Sequence, residues 1–191
     1  MTVSNAFRNQ IQNRNFLSPV GFKFVVNRAR KVSFFGNSMN IPGLTFGVAN
    51  QSTYLKDIPL PGDKIEFSDL KLRFLVDENL ENYMEIQKWI RGIGYPESLD
   101  EIYNFQQDNP VMDAQFKEQM NLYSDATLFV LTSNNNSNFQ VKFRNIFPYT
   151  LTDLQFDATD SDIEYLTAEV SFKYTIYDIV DNNGNPLHYD T

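Results

Sequence analysis

The chain holds a single histidine, His188, and no cysteine. A Ser-His-Asp triad, a zinc site or a thiol nucleophile needs those residue types in convergent sets. His188 lies in a polar tail and reads as a solvated residue. Without cysteine there are no disulfides, which fits a reducing compartment. Asp157, Asp160 and Asp162 are spaced loosely like a calcium loop. They lack the downstream Gly and Glu of an EF-hand, so a solvated acidic turn is expected. Glu78 and Glu81 could be read as paired carboxylates, but both suit the first turn of a helix, where the macrodipole favours negative charge. Arg28, Arg30 and Lys31 form a small basic cluster that reads as a hairpin turn or a subunit ion pair. Gly92-x-Gly94 reads as a helix terminator rather than half of a dinucleotide fingerprint. No P-loop, G-x-S-x-G or H-E-x-x-H pattern occurs. The residues therefore point away from an enzyme, and no cofactor or metal is expected.

Composition narrows the classes further. The 191 residues suit one domain with a sizeable core, and 42% are hydrophobic, so the chain should be globular. Its 17 Phe and 10 Tyr favour strands and large contact surfaces. The formal net charge of -8 argues against holding phosphate backbones or an anionic membrane surface. No apolar run approaches the ~18 residues of a membrane-spanning helix. The polar start, Met1 to Arg14, has no hydrophobic signal-peptide core.

The elements that must position any working surface are mostly strands. Alternation predicts strands over Gly21–Asn27, Val32–Met39, Leu44–Ala49 and Tyr54–Leu60. Pro61-Gly62-Asp63 is a strong turn signal, with Ile65–Phe67 as the hairpin partner. Leu70–Val76 alternates well. Tyr83, Ile86, Trp89 and Ile90 make one apolar stripe, which predicts an amphipathic helix capped by Asp77 or Asn79. Tyr95–Tyr123 is polar and Gln-rich and reads as an insertion, with helical turns over Ser98–Phe105 and Met112–Leu122. Strands resume at Ala126–Leu131, followed by a polar hairpin loop at Ser133–Asn138. Phe139–Phe143 should pair back, Phe147-Pro148 should turn the chain, and Leu151–Phe156 is strand-like. Ile163–Val180 is the longest strand signal. The sum is a mainly β (α+β) fold: an antiparallel β-sandwich or barrel with one flanking amphipathic helix.

Several pieces in order resemble one family, the tail tube proteins of contractile-tailed (myovirus-type) bacteriophages. Asn15, Phe16, Pro19, Phe22 and Phe24 (N-F-x-x-P-x-x-F-x-F) look like the family's lead into its first strand. Asn37–Leu44 (NSMNIPGL) is similar to its strand ending in a Pro-Gly turn. Tyr54–Gly62 and then Phe67–Trp89 resemble its order of hairpin, alternating strand and Trp-containing helix. Lys142–Pro148 (KFRNIFP), Leu154, Asp157 and Ile163–Tyr177 resemble its ending. The match runs from about Asn15 to Ile179, with a longer 95–123 segment and an extra end as departures.

The resemblance implies a structural subunit of stacked hexameric rings, surrounded by a sheath, whose lumen conducts double-stranded DNA during genome ejection. It implies partners: sister copies, the tail sheath protein, and baseplate and terminator proteins, with no membrane. It implies a place in the virion tail tube, after assembly in the bacterial host cytoplasm. The same fold occurs in type VI secretion tubes. The division expected is an N-terminal arm (1–15), one β domain (16–180) with the insertion, and a flexible tail (181–191). Gly47–Lys64 is turn-rich and poor in core residues, so Tyr54, Leu55, Lys56, Asp57, Ile58, Pro59 and Pro61 are the expected inter-ring or inter-subunit contacts. Asp153, Asp157, Asp160 and Asp162 are the expected acidic lumen residues. A tube initiator or baseplate hub of the same fold is the first alternative. A monomeric β-sandwich binding module, with Tyr95, Tyr103 and Tyr123 as its platform, is the second.

Overall fold

A computed structural model describes residues 17, 19, 21–98, 100, 101, 122–132, 136–156 and 165–187. The elements in chain order are β1 (Phe22–Val26), α1 (Arg30–Phe34), β2 (Gly36–Met39), β3 (Leu44–Ser52), β4 (Asp57–Phe67), β5 (Leu70–Leu75), α2 (Glu81–Gly94), β6 (Ser124–Leu131), β7 (Ser137–Leu151), β8 (Thr167–Lys173) and β9 (Ile176–Val180). All strand pairings are antiparallel.

Alternation explains the layers. In β5 the pattern Leu-Lys-Leu-Arg-Phe buries Leu70, Leu72 and Phe74 and leaves Lys71 and Arg73 exposed. Ala126, Leu128 and Val130 are buried between half-buried neighbours in β6, and Ala168, Val170 and Phe172 are buried in β8, where Ser171 is buried as well. These faces meet in one cluster with Phe24, Val26, Val141 and Phe143. Each fully buried Val, Leu or Phe of this cluster contributes about 1.5–3 kcal/mol.

The main sheet path is β1-β6-β7-β8-β5-β2, with β9 also on β7. Strand β7 is common to two layers. Its first part pairs with β6 and β9, and Phe147–Leu151 pairs with β8. At the joint Asn145 takes φ 54°, a left-handed conformation that Asn tolerates. Its backbone N–H donates to Asp125 Oδ1 at 3.1 Å, which fixes the bend. Helix α2 closes the core with Ile86 and Trp89, and Trp89 Nε1–H donates to the Leu122 carbonyl at 3.0 Å.

Several expected boundaries are corrected. The expected strand Val32–Met39 is a short helix, α1, followed by the shorter β2. Val32 and Ala29 are fully buried, so this stretch packs as a helical plug at a sheet end. Pro61-Gly62-Asp63 is not a chain reversal: β4 continues through it with a bulge, residues 62–64 facing Gly47 alone, and the hairpin reverses at Thr53–Lys56 instead. An exposed hairpin strand tolerates Pro where no ladder N–H is required. Phe147-Pro148 does not turn the chain either, because β7 continues to Leu151 and 152–156 is irregular. The long signal Ile163–Val180 is two strands. Thr175 N–H donates to the Arg144 carbonyl at 3.0 Å, and the break follows the bend of β7. The break shifts the phase, so Ile176 and Ile179 are exposed while Val180 is buried.

Neither Asp77 nor Asn79 caps α2. The N-cap is Leu80, at φ 57° and without a side-chain bond. The C-cap is Tyr95 at φ 33°, so Gly92 lies buried inside the helix and Gly94 is its last residue. In the expected flexible tail, residues 181–187 form a turn: Asp181 Oδ1 accepts the backbone N–H groups of Asn183 and Asn185, both at 2.8 Å. Residues 1–16, His188, Tyr103 and most of the 95–123 insertion lie outside the described residues.

Candidate assembly surface

The β3–β4 hairpin stands off the body. Every residue of β3 is exposed, and in β4 only Gly62 and Phe67 are half-buried. Its register places Leu44 opposite Phe67, Phe46 opposite Ile65 and Val48 opposite Pro61. Alternation therefore puts Leu44, Phe46 and Val48 on one face of β3. A two-stranded ribbon is marginal alone in water, and contiguous exposed apolar surface marks an interaction site.

The seven expected contact residues all fall on this element. Tyr54, Leu55 and Lys56 form its tip, where Tyr54 and Leu55 are 102% and 91% exposed. Asp57, Ile58, Pro59 and Pro61 follow in β4. Ser52 Oγ donates to Asp57 Oδ1 at 2.6 Å, and Thr53 N–H donates to the Lys56 carbonyl, which closes the tip. Midway, the register slips between Phe46 and Val48. There Gly62 lies so close to Gly47 that an added Cβ would meet the Gly47 carbonyl oxygen at 2.6 Å.

The root is anchored by aromatic rings. Phe67 meets Tyr174 and Tyr177 edge-on, at 5.8 and 5.9 Å between centroids, and both tyrosines also contact Phe143. The Tyr174 hydroxyl donates to the Ser68 carbonyl at 2.9 Å, and the Tyr177 hydroxyl donates to the Pro42 carbonyl at 3.2 Å. Burial pushes the Tyr174 phenol up to about 12, with Tyr177 and Asp69 adding to the effect.

A second apolar surface opens beside the start of α2. It is a groove of about 670 Å³ lined by Phe35, Val76, Leu80, Phe156, Tyr165 and Leu166 among others, with Asp77 and Glu78 on its wall. Sequence reasoning missed this groove, because its walls come from four separate stretches of chain. It also missed the apolar face of β3, although the alternation of Leu44, Phe46 and Val48 was there to be read.

The other sequence candidates find local partners. Lys31 Nζ pairs with Glu81 Oε2 at 2.6 Å, which raises the lysine and lowers the glutamate from their ordinary values. Arg28 lies over the Trp89 ring at 5.6 Å. The basic cluster is thus partly spent within the subunit. Glu85 accepts the Lys31 backbone N–H at 3.1 Å, while its partial burial pushes its carboxyl up. The Tyr123 ring packs edge-on against Phe147 at 5.6 Å and stays exposed, as does Tyr95. Asp153 is exposed, whereas Asp157, Asp160 and Asp162 lie outside the described residues. Among the described residues no group of three acidic or histidine side chains could hold a metal, and no helix is long and apolar enough to cross a membrane.

Comparison with known proteins fits this picture. No protein of curated function matches. Among solved structures, a chain of the six-fold symmetrised anti-feeding prophage baseplate is 9% identical, with 89% of this chain and 98% of that chain covered, at a TM-score of 0.57. A chain of the anti-feeding prophage tube-terminating cap is 13% identical, with 93% and 99% covered, at 0.54. A chain of the PVC extracellular contractile injection system, in its extended sheath–tube complex, is 14% identical, with 88% and 93% covered, at 0.53. At these identities the likeness is one of fold. The family model described as phage tail tube protein matches residues 2–180. With almost all of its length matched, the chain belongs to the phage tail tube protein family and is a structural subunit of a tube, a component of a phage-like particle, rather than a catalyst.

Proposed function

We propose that copies of this chain close into rings of six through their open sheet edges, and that the β3–β4 hairpin ties each ring to the next. The hairpin carries this reading: an apolar ribbon with no cover among the described residues gains most by lying against another copy. Strands β1 and β2 end the sheet path, and β9 leaves Ile176 and Ile179 exposed. Edges of this kind present unpaired N–H and C=O groups, and a cyclic assembly satisfies them around a ring. The number six rests on the resemblance and on the six-fold symmetry of the related baseplate.

In this reading the lumen passes double-stranded DNA without gripping it. A net charge of -8 per subunit repels phosphates over about a Debye length, ~8 Å at physiological salt. Asp153, Asp157, Asp160 and Asp162 are the proposed lumen carboxylates. A sheath would surround the tube, with baseplate and terminator proteins at its ends, after assembly in the host cytoplasm. Related chains occur in a sheath–tube complex and in a tube-terminating cap.

Negative-stain microscopy of the purified protein tests this. Long hollow tubes are the expected result. A second reading, a tube initiator or baseplate hub, is favoured by the likeness to a baseplate chain and would give only one or two rings. A protein that stays monomeric at every concentration sinks both.

A further inference from the structure

The hairpin and the α2 groove sit at opposite ends of β5. Where β4 hands over to β5, Ser68 N–H donates to the Gly43 carbonyl at 3.0 Å, holding both hairpin legs at that end. Strand β5 then runs to Leu75, where the groove opens. The nine residues of β3 span roughly 30 Å, so the tip stands well clear of the body. The tip presents two large apolar side chains, Tyr54 and Leu55, followed by the cation of Lys56. The groove presents an apolar bed, with Phe156 and Tyr165 77% and 82% exposed, and the carboxylates of Asp77 and Glu78 beside it.

We propose that the tip of one copy, Tyr54–Leu55–Lys56, seats in the α2 groove of the copy in the next ring, which deepens and rests on the stacked-ring reading. Three observations carry it. Both surfaces are apolar and exposed among the described residues. Their charges are opposite, Lys56 against Asp77 and Glu78. Donor and acceptor lie at opposite ends of one strand, so the contact is head-to-tail, and a head-to-tail contact that does not close on itself generates an open stack. At about 670 Å³ the groove is of the size that accepts a compact apolar ligand, which suits a Tyr-Leu pair.

The chain has no cysteine, so introduced thiols have no background. Two double variants, Leu55→Cys with Phe156→Cys and Leu55→Cys with Tyr165→Cys, change only exposed positions. Their assembled tubes are treated with a short thiol-specific cross-linker and run on a denaturing gel. Each double variant should give a ladder of covalent oligomers, and a mixture of Leu55→Cys and Phe156→Cys single variants should stop at dimers. Tubes that form yet stay at monomer mass overturn the proposal, since the tip then sits elsewhere or the groove is filled by residues of its own chain. If the unaltered protein forms no tubes at all, the stacked-ring reading fails first. As a second arm, Lys56→Glu should slow elongation about tenfold at low salt, and Asp77→Lys with Glu78→Lys should restore it. A Lys56→Glu chain that elongates like the parent also counts against the proposal.

Discussion

At the residue scale, the side chain that matters most around the start of α2 is Asn82. It is fully buried, donates to the Leu75 carbonyl at 2.8 Å, and accepts the backbone N–H groups of Asp77 and Tyr83 at 3.2 and 2.8 Å. Asn82→Ala leaves those groups without partners and is expected to cost about 1–3 kcal/mol. Urea unfolding followed by circular dichroism measures it. Sequence placed the cap at Asp77 or Asn79, since both are good N-cap types. An asparagine inside the first turn is not distinguishable by type alone, and Leu80 in a left-handed conformation was not foreseeable from a pattern. Tyr174 gives a second outcome. Its folded-state value of about 12 lies above its ordinary 10, so the folded protein keeps a proton that the unfolded chain has lost between those values. Its contribution is therefore whole below pH 10 and lost as pH rises through 12. Tyr174→Phe should flatten that alkaline loss in unfolding curves, while forfeiting the bond to Ser68 that steadies the hairpin root.

At the element scale, the hairpin can be disabled without touching the core. Gly62→Ala forces a Cβ against the Gly47 backbone, so the register slip between the legs cannot form. The subunit should keep its thermal midpoint within a few degrees, while tube yield in pelleting assays falls to near zero. How much of this was legible depends on what the neighbours of each strand do. Strands β5 and β6 were readable because each buries one face and wets the other. Helix α2 was readable from the Tyr83, Ile86, Trp89 and Ile90 stripe. Strand β4 is misread because Pro61 and Gly62 usually break a strand, and here they fall at the register slip of an exposed ribbon. Strands β7, β8 and β9 were misdivided because the corner at Asn145 and Thr175 is tertiary, made by strands distant in sequence. The hairpin tip was picked out as the proposed contact by its poverty in core types. The groove was invisible for the opposite reason, since its residues look like ordinary core.

At the scale of the whole molecule, charge opposes assembly and apolar surface drives it. Subunits of net charge -8 repel one another, and salt shortens that repulsion from ~30 Å at 0.01 M to ~3 Å at 1 M. Tube formation followed by light scattering should therefore rise with ionic strength, and a fall would mean that ion pairs rather than apolar contacts dominate. The acidic composition and the strand-helix-strand order are both plain in the sequence, and they bound the class on their own. One strand, β7, has a last consequence. Because it hydrogen-bonds to both layers, neither layer can melt while the other survives. The subunit should lose its structure in a single cooperative step, and the β7 amides should exchange with deuterium only through global opening. A conduit built of such units would yield between its bricks before any brick came apart.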